Sequence, residues 1–210
     1  MDQYEEIRRR TLRYWYVDGL TEIAVGVVFF LLAMLFVLMG VIAPSPAIHW
    51  LLGLGQPALI LLGWWVGGRA VRYFKERITY PRTGYVEYKR PQPNRRLAKL
   101  ALTAVISFAV AMIAASFASS IPEAWLPVFT AAPIALFVIY MAIQFGLRRF
   151  YLAAAAIMLA GFLPLLLGLE GAYASALLLG VVAVIWWLSG ALALRSYLRQ
   201  TTLPAKDWQA

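Results

Sequence analysis

The sequence predicts an all-α membrane protein: a bundle of about six transmembrane helices, with an N-terminal interfacial amphipathic helix and a basic, β-hairpin-like cytoplasmic loop. Three observations carry that reading. Apolar residues make up 62% of the 210-residue chain and charged residues 14%, with a mean hydropathy of +0.73; soluble domains run nearer about 45–50% and about 25%. The apolar residues gather into six runs of membrane-crossing length. All nineteen Lys and Arg fall on one side of those runs once they are threaded back and forth.

The first nineteen residues, 1–19, precede the first run. They place acids early ("MDQYEE") and arginines later (Arg8, Arg9, Arg10, Arg13), then Tyr14, Trp15 and Tyr16. That order suits a helix macrodipole lying in the interface with its aromatics at headgroup depth. A cleavable signal peptide is not expected, because the start is highly charged and the first apolar run exceeds the 7–15 residues of a signal h-region. An anchoring elbow accounts for the segment; a docking helix for a cytoplasmic partner is the sharper alternative.

The transmembrane domain, 20–194, holds the six runs: Leu20–Ile42, Ala47–Gly67, Leu97–Ala118, Ala124–Phe145, Phe150–Leu169 and Ala172–Leu194. Each is close to the ~20 residues that cross about 30 Å of hydrocarbon at 1.5 Å per residue. The punctuation between them is "APSP", a long polar loop (68–96), "SSIPE", "GLRR" and "GLEG". The "GLRR" boundary is the shortest, so the fourth and fifth runs should form an antiparallel neighbouring pair. Four cations precede the first run, ten lie between Arg69 and Lys99, Arg148 and Arg149 follow the fourth run, and Arg195, Arg199 and Lys206 lie in the tail, 195–210. The opposite loops carry only Glu123 and Glu170. By the positive-inside rule both termini are cytoplasmic. Net charge +9 is then first a topology signal, and nucleic-acid binding is not needed to explain it.

The loop carries "RITYPRTGYVEYKRPQPNRR", residues 77–96. Thr79 and Tyr80, then Tyr85, Val86 and Tyr88, are strand formers flanking Pro81-Arg82-Thr83-Gly84. Proline pre-sets φ at the first turn position and Gly84 supplies a positive φ at its end; Tyr80 would pair with Tyr85 across the strands. An isolated hairpin is marginal in water, so it should lie on anionic lipid headgroups or dock a cytoplasmic protein. Tyr80, Arg82, Gly84, Tyr85, Lys89 and Arg90 are the candidate contact residues. The motifs "RYWYVDGLTEI" (13–23) and "TYPRTGYV" resemble those of uncharacterised families of multi-pass bacterial membrane proteins. The resemblance implies a bacterial cytoplasmic-membrane protein and carries no activity with it.

Polar residues inside the runs are candidate sites by default. Glu22 stands in the first turn of the first run, four residues after Asp18 and on the same face. The helix N-terminal dipole and nearby arginines give it a structural role, and an inward-facing carboxylate for a proton or cation is the functional one. Gln56-Pro57 in the second run frees the carbonyl of Gly53, and Gln144 lies near the inner end of the fourth. Glu22, Gln56 and Gln144 would together line a path between the first, second and fourth helices, with Gln56 near mid-bilayer. His49 is interfacial. The ridge Thr103, Ser107, Ala111, Ala115, Ser119 suits close helix packing or a dimer seam.

With no Cys and a single His, thiolate catalysis, Cys-ligated zinc and His-based metal sites are not expected, and no nucleophile elbow, Walker A or HExxH motif is present. The expectation is a non-enzyme without cofactor. Two functions fit. One is the membrane subunit of a transport system for a small or lipidic solute, similar in outline to ABC permease subunits and to small substrate-binding subunits of vitamin uptake systems. The other is a membrane-anchored sensor, scaffold or regulatory module acting through its basic loop.

Overall fold

The chain enters its first helix through the turn Tyr16–Gly19, and the reason is local. Gly19 adopts φ +70°, a left-handed conformation that costs glycine little, and Asp18 Oδ1 accepts the Leu20 N–H at 3.2 Å. Helix α1 (Leu20–Val41) follows. The computed structural model describes residues 16–42, 46–80 and 121–201.

Helix α2 (Pro46–Phe74) returns alongside α1. It then widens without a break into a π turn, Lys75–Thr79, whose end is marked by the Tyr80 N–H bonding the Lys75 carbonyl. This departs from the expectation that residues 68–96 form a loop. It also corrects the assignment of Thr79 and Tyr80 to a strand: both are helical, because helical backbone bonds and tertiary hydrogen bonds outweigh their β propensity. The rest of the expected hairpin (Arg82, Gly84, Tyr85, Lys89, Arg90), the third apolar run and residues 1–15 lie outside the described residues.

A 3₁₀ turn, Glu123–Trp125, leads into α3 (Leu126–Phe145). Gly146 closes α3 with φ +64° and an N–H to the Ala142 carbonyl, the left-handed glycine stop, and Leu147 turns the chain directly into α4 (Arg148–Ala160). Two residues suffice because α3 and α4 pack against each other, as the short "GLRR" boundary requires. The fifth run is not one helix: it turns at Gly161–Phe162 and ends in a short α5 (Leu163–Leu166), with Pro164 in its first turn, where no N–H is needed for an intrahelical bond. Gly168 (φ +65°) and Gly171 (φ +60°) frame the next turn, and α6 (Gly171–Gln200) runs on six residues past its expected end at Leu194.

Among the described residues, four stretches are long and apolar enough to cross a membrane: Leu20–Val41, Glu123–Phe145, Arg148–Leu166 and Gly171–Gln200. The described residues are all-helical, with no strand among them, and their apolar helices make the chain a multi-pass membrane protein. Helices α1 and α6 make the most extensive contact and run antiparallel, Gly19 meeting Gly190, Gly26 meeting Trp187 and Ala183, and Gly40 meeting Tyr173. The pair α1–α2 is antiparallel too, with Gly63 against Val28 and Gly67 facing Ala24. The core lies between α3, α4 and α6, where Ala131, Ala142, Phe150, Ile157 and Val182 are fully buried. Small residues on α3 and α4 let the helices approach closely, since lipid supplies no hydrophobic drive for them to pack.

Candidate functional site

The polar side chains drawn deepest into the molecule gather at one end of the bundle, where α1 begins and α6 ends. Asp18 (0% exposed), Glu22 (1%), Lys75 (2%) and Thr79 (2%) are all buried there. Asp18 and Glu22 stand one turn apart, yet they engage different helices.

Asp18 takes α2. Its Oδ2 accepts Lys75 Nζ at 2.7 Å and Thr79 Oγ1 at 2.9 Å, while Oδ1 caps Leu20. The π turn carries both donors to the same carboxylate oxygen. Tyr197 of α6 closes the group by donating its hydroxyl to the Thr79 carbonyl at 3.2 Å. Burial holds the Lys75 ammonium below the usual lysine value, against the opposing pull of Asp18; desolvation disfavours the charged form and the carboxylate restores part of it.

Glu22 takes α4 and α6. Oε1 accepts from Arg149 Nη2, 2.5 Å away, and Oε2 accepts from Ser189 Oγ. Arg149 Nη2 also donates to the Tyr16 carbonyl, which ties the entry turn to α4. Tyr16 itself is stacked on Phe145 with ring centres 4.4 Å apart and meets Phe150 edge-on at 5.9 Å. Burial, then the Glu22 charge, raises its phenol above the ordinary tyrosine value. Each carboxylate oxygen of Glu22 and Asp18 thus has a donor, as buried charges require. Arg149 Nε and Trp186 Nε1 are buried with no hydrogen-bond partner.

The three residues expected to line one path are not brought together. Glu22 belongs to the ionic cluster. Gln56 Nε2 lies 3.9 Å from Met39 Sδ, about 25 Å along α1 from Glu22 at 1.5 Å per residue. It therefore sits well away from Glu22 along the bundle. Gln144 donates to Tyr140 Oη on its own helix at 3.2 Å, and Tyr140 is 56% exposed. The proposed path between the first, second and fourth helices is not formed by these side chains.

The partners that matter were hidden: Lys75 and Arg149 lie in flanks read as topology signals, and Thr79 in a stretch read as a strand. Ser189 sits within the last apolar run and Tyr197 in the tail beyond it, and neither residue type singles itself out there. A usable signal was depth. Asp18 and Glu22 open α1 at the level where α2 ends and α4 begins, so acids and bases of matching depth should meet.

Beside the cluster, α1, α2 and α6 enclose a groove of about 540 Å³ lined by aliphatic and aromatic residues, among them Leu20, Val27, Leu62, Val71, Phe74 and Leu194. No His, Cys, Asp and Glu grouping suited to a metal ion occurs among the described residues. No family model matches this chain, and no curated protein or solved structure matches it either.

Proposed function

We propose that the chain is a non-catalytic six-span protein of the bacterial cytoplasmic membrane, acting as a scaffold or regulatory module that presents a basic face to the cytoplasm. The observation that carries this is the ionic cluster. Two carboxylates and two cations neutralise one another in a closed set of bonds that ties the start of α1 to α2, α4 and α6. Such an arrangement holds one end of the bundle rigid while leaving Arg69, Arg72, Arg77, Arg148, Arg195 and Arg199 exposed around it. Their position at one end supports cytoplasmic termini by the positive-inside rule.

Connectivity supports six spans. Tyr80 follows the π turn at the charged end, whereas Glu123–Trp125 packs against α5 at the other. The segment between them contains one apolar run of membrane-crossing length, 97–118.

A second reading, the membrane subunit of a carrier for a lipidic solute, is favoured by the apolar groove between α1 and α2, whose lining suits an acyl chain. Copurification of the full chain in mild detergent separates the two. The scaffold reading expects a signalling or regulatory protein that is retained by the wild type and lost when Arg82, Lys89 and Arg90 are changed to Gln. Retention of an ATPase or another transport component instead would replace it with the carrier reading.

A further inference from the structure

We propose that the exposed face of α2 at the charged end, formed by Trp65, Arg69, Arg72, Tyr73 and Arg77, is a seat for the headgroup of an anionic phospholipid. Each guanidinium is already held in place by a local contact. Arg69 lies over the Trp65 ring at 3.9 Å and Arg77 over the Tyr73 ring at 4.5 Å. Arg72 Nε donates to the Gly68 carbonyl at 3.1 Å. Stacking and backbone bonding of this kind reduce the freedom lost on binding and leave the outer N–H groups of the planar fork to meet a phosphate.

None of the three arginines has a carboxylate partner among the described residues; the ion pairs there use Lys75 and Arg149. Glu76 lies on the same stretch, is exposed and forms no ion pair with them, so the face keeps a net positive charge. Lys75, on the opposite side of the same turn, is committed to Asp18. The positive face is therefore distinct from the ionic cluster.

The position argues for a lipid over a free anion. Immediately towards the bilayer the same helix exposes Leu61 (64%), Trp64 (72%) and Trp65 (58%), the apolar and indole surface found where a helix meets the acyl-chain boundary. A headgroup on the arginines would have its chains lie along those residues. The proposal rests on the reading that the charged end lies at a membrane surface, and it does not depend on which surface that is.

The test uses the full-length chain in nanodiscs of mixed phosphatidylcholine and phosphatidylglycerol, with co-retained lipid counted by native mass spectrometry after detergent transfer. The wild type should retain phosphatidylglycerol in preference. R69Q/R72Q/R77Q should lower that preference by roughly ten- to a hundredfold, since each surface cation contributes severalfold. R148Q/R195Q/R199Q, which removes the same charge elsewhere at that end, should keep it. W65L, which spares every charge, should lower it in part by releasing Arg69. An equal loss in both triple variants, an unchanged preference in the first, or displacement of the lipid by millimolar inorganic phosphate would each overturn the proposal. Because both nanodisc leaflets have one composition, such a failure leaves the orientation and the scaffold reading untouched.

Discussion

Asp18 and Glu22 show how neighbouring acids on one helix acquire separate roles. Each is buried, and each is made tolerable by a cation from a different helix. Breaking a buried pair leaves an uncompensated charge, which typically costs about 3–5 kcal/mol. Arg149 keeps 27% of its side chain exposed, so Glu22→Gln or Arg149→Met should each destabilise the protein by about 2–4 kcal/mol, somewhat below that scale because solvent reaches the arginine. The double variant should cost clearly less than the sum, because it leaves no lone charge. Thermal unfolding of the four proteins in one detergent measures this; additivity within about 0.5 kcal/mol would mean that Glu22 and Arg149 are not coupled. Glu22 was visible in the sequence as an ionisable residue inside an apolar run, and the nearness of arginines was visible with it. Which arginine was not, since Arg149 lies far along the chain and reaches Glu22 only through the packing of α4 on α6.

At the scale of elements, the contact between α1 and α6 depends on two glycines that meet back to back. A Cβ on Gly190 would stand 2.8 Å from the Gly19 carbonyl oxygen and 3.0 Å from the Ile23 nitrogen, and neither backbone can move without shifting α1. Gly190→Ala should therefore destabilise by about 1–3 kcal/mol, as overpacking does, and should loosen Ser189 from Glu22. Gly68→Ala is the counterpart. Nothing lies within 4 Å of its added Cβ and the position is helical, so it should stabilise by up to about 1 kcal/mol. Equal effects from the two substitutions in a thermal melt would show that helix propensity, and not the contact with Gly19, governs position 190. Two boundaries that glycine sets were legible: the Gly146 stop and the turn after Gly168 follow from residues whose backbone preferences act locally. The end of α2 was not legible. Thr79 and Tyr80 read as strand formers, and they are helical in a turn that Lys75, Thr79 and Tyr197 bind to α1 and α6.

For the whole molecule, the one-sided placement of cations predicts a topology by the positive-inside rule. Reporter fusions at Ser45, Ser120 and Gly171 should be active as external sites, and fusions at Thr83 and the C-terminus as cytoplasmic ones. A cytoplasmic reading at Gly171 would overturn the six-span threading, because α5 and α6 would then have to enter from the same side.

The sequence by itself determined that this is a helical membrane protein, where most of its apolar helices lie and which end carries the positive charge. Hydropathy, glycine and proline grammar, and Lys and Arg counts are properties of single residues or short windows, so no neighbour is needed to read them. Only the tertiary structure decided that Glu22, Gln56 and Gln144 do not share a path, that Asp18 claims Lys75 while Glu22 claims Arg149, and that α2 carries its helix through Thr79 to Tyr80. Those outcomes depend on rotation about helix axes and on depth along them. An apolar stretch in lipid leaves both nearly free, and it is the contact of Gly19 with Gly190 and the bonds of four buried polar side chains that set them.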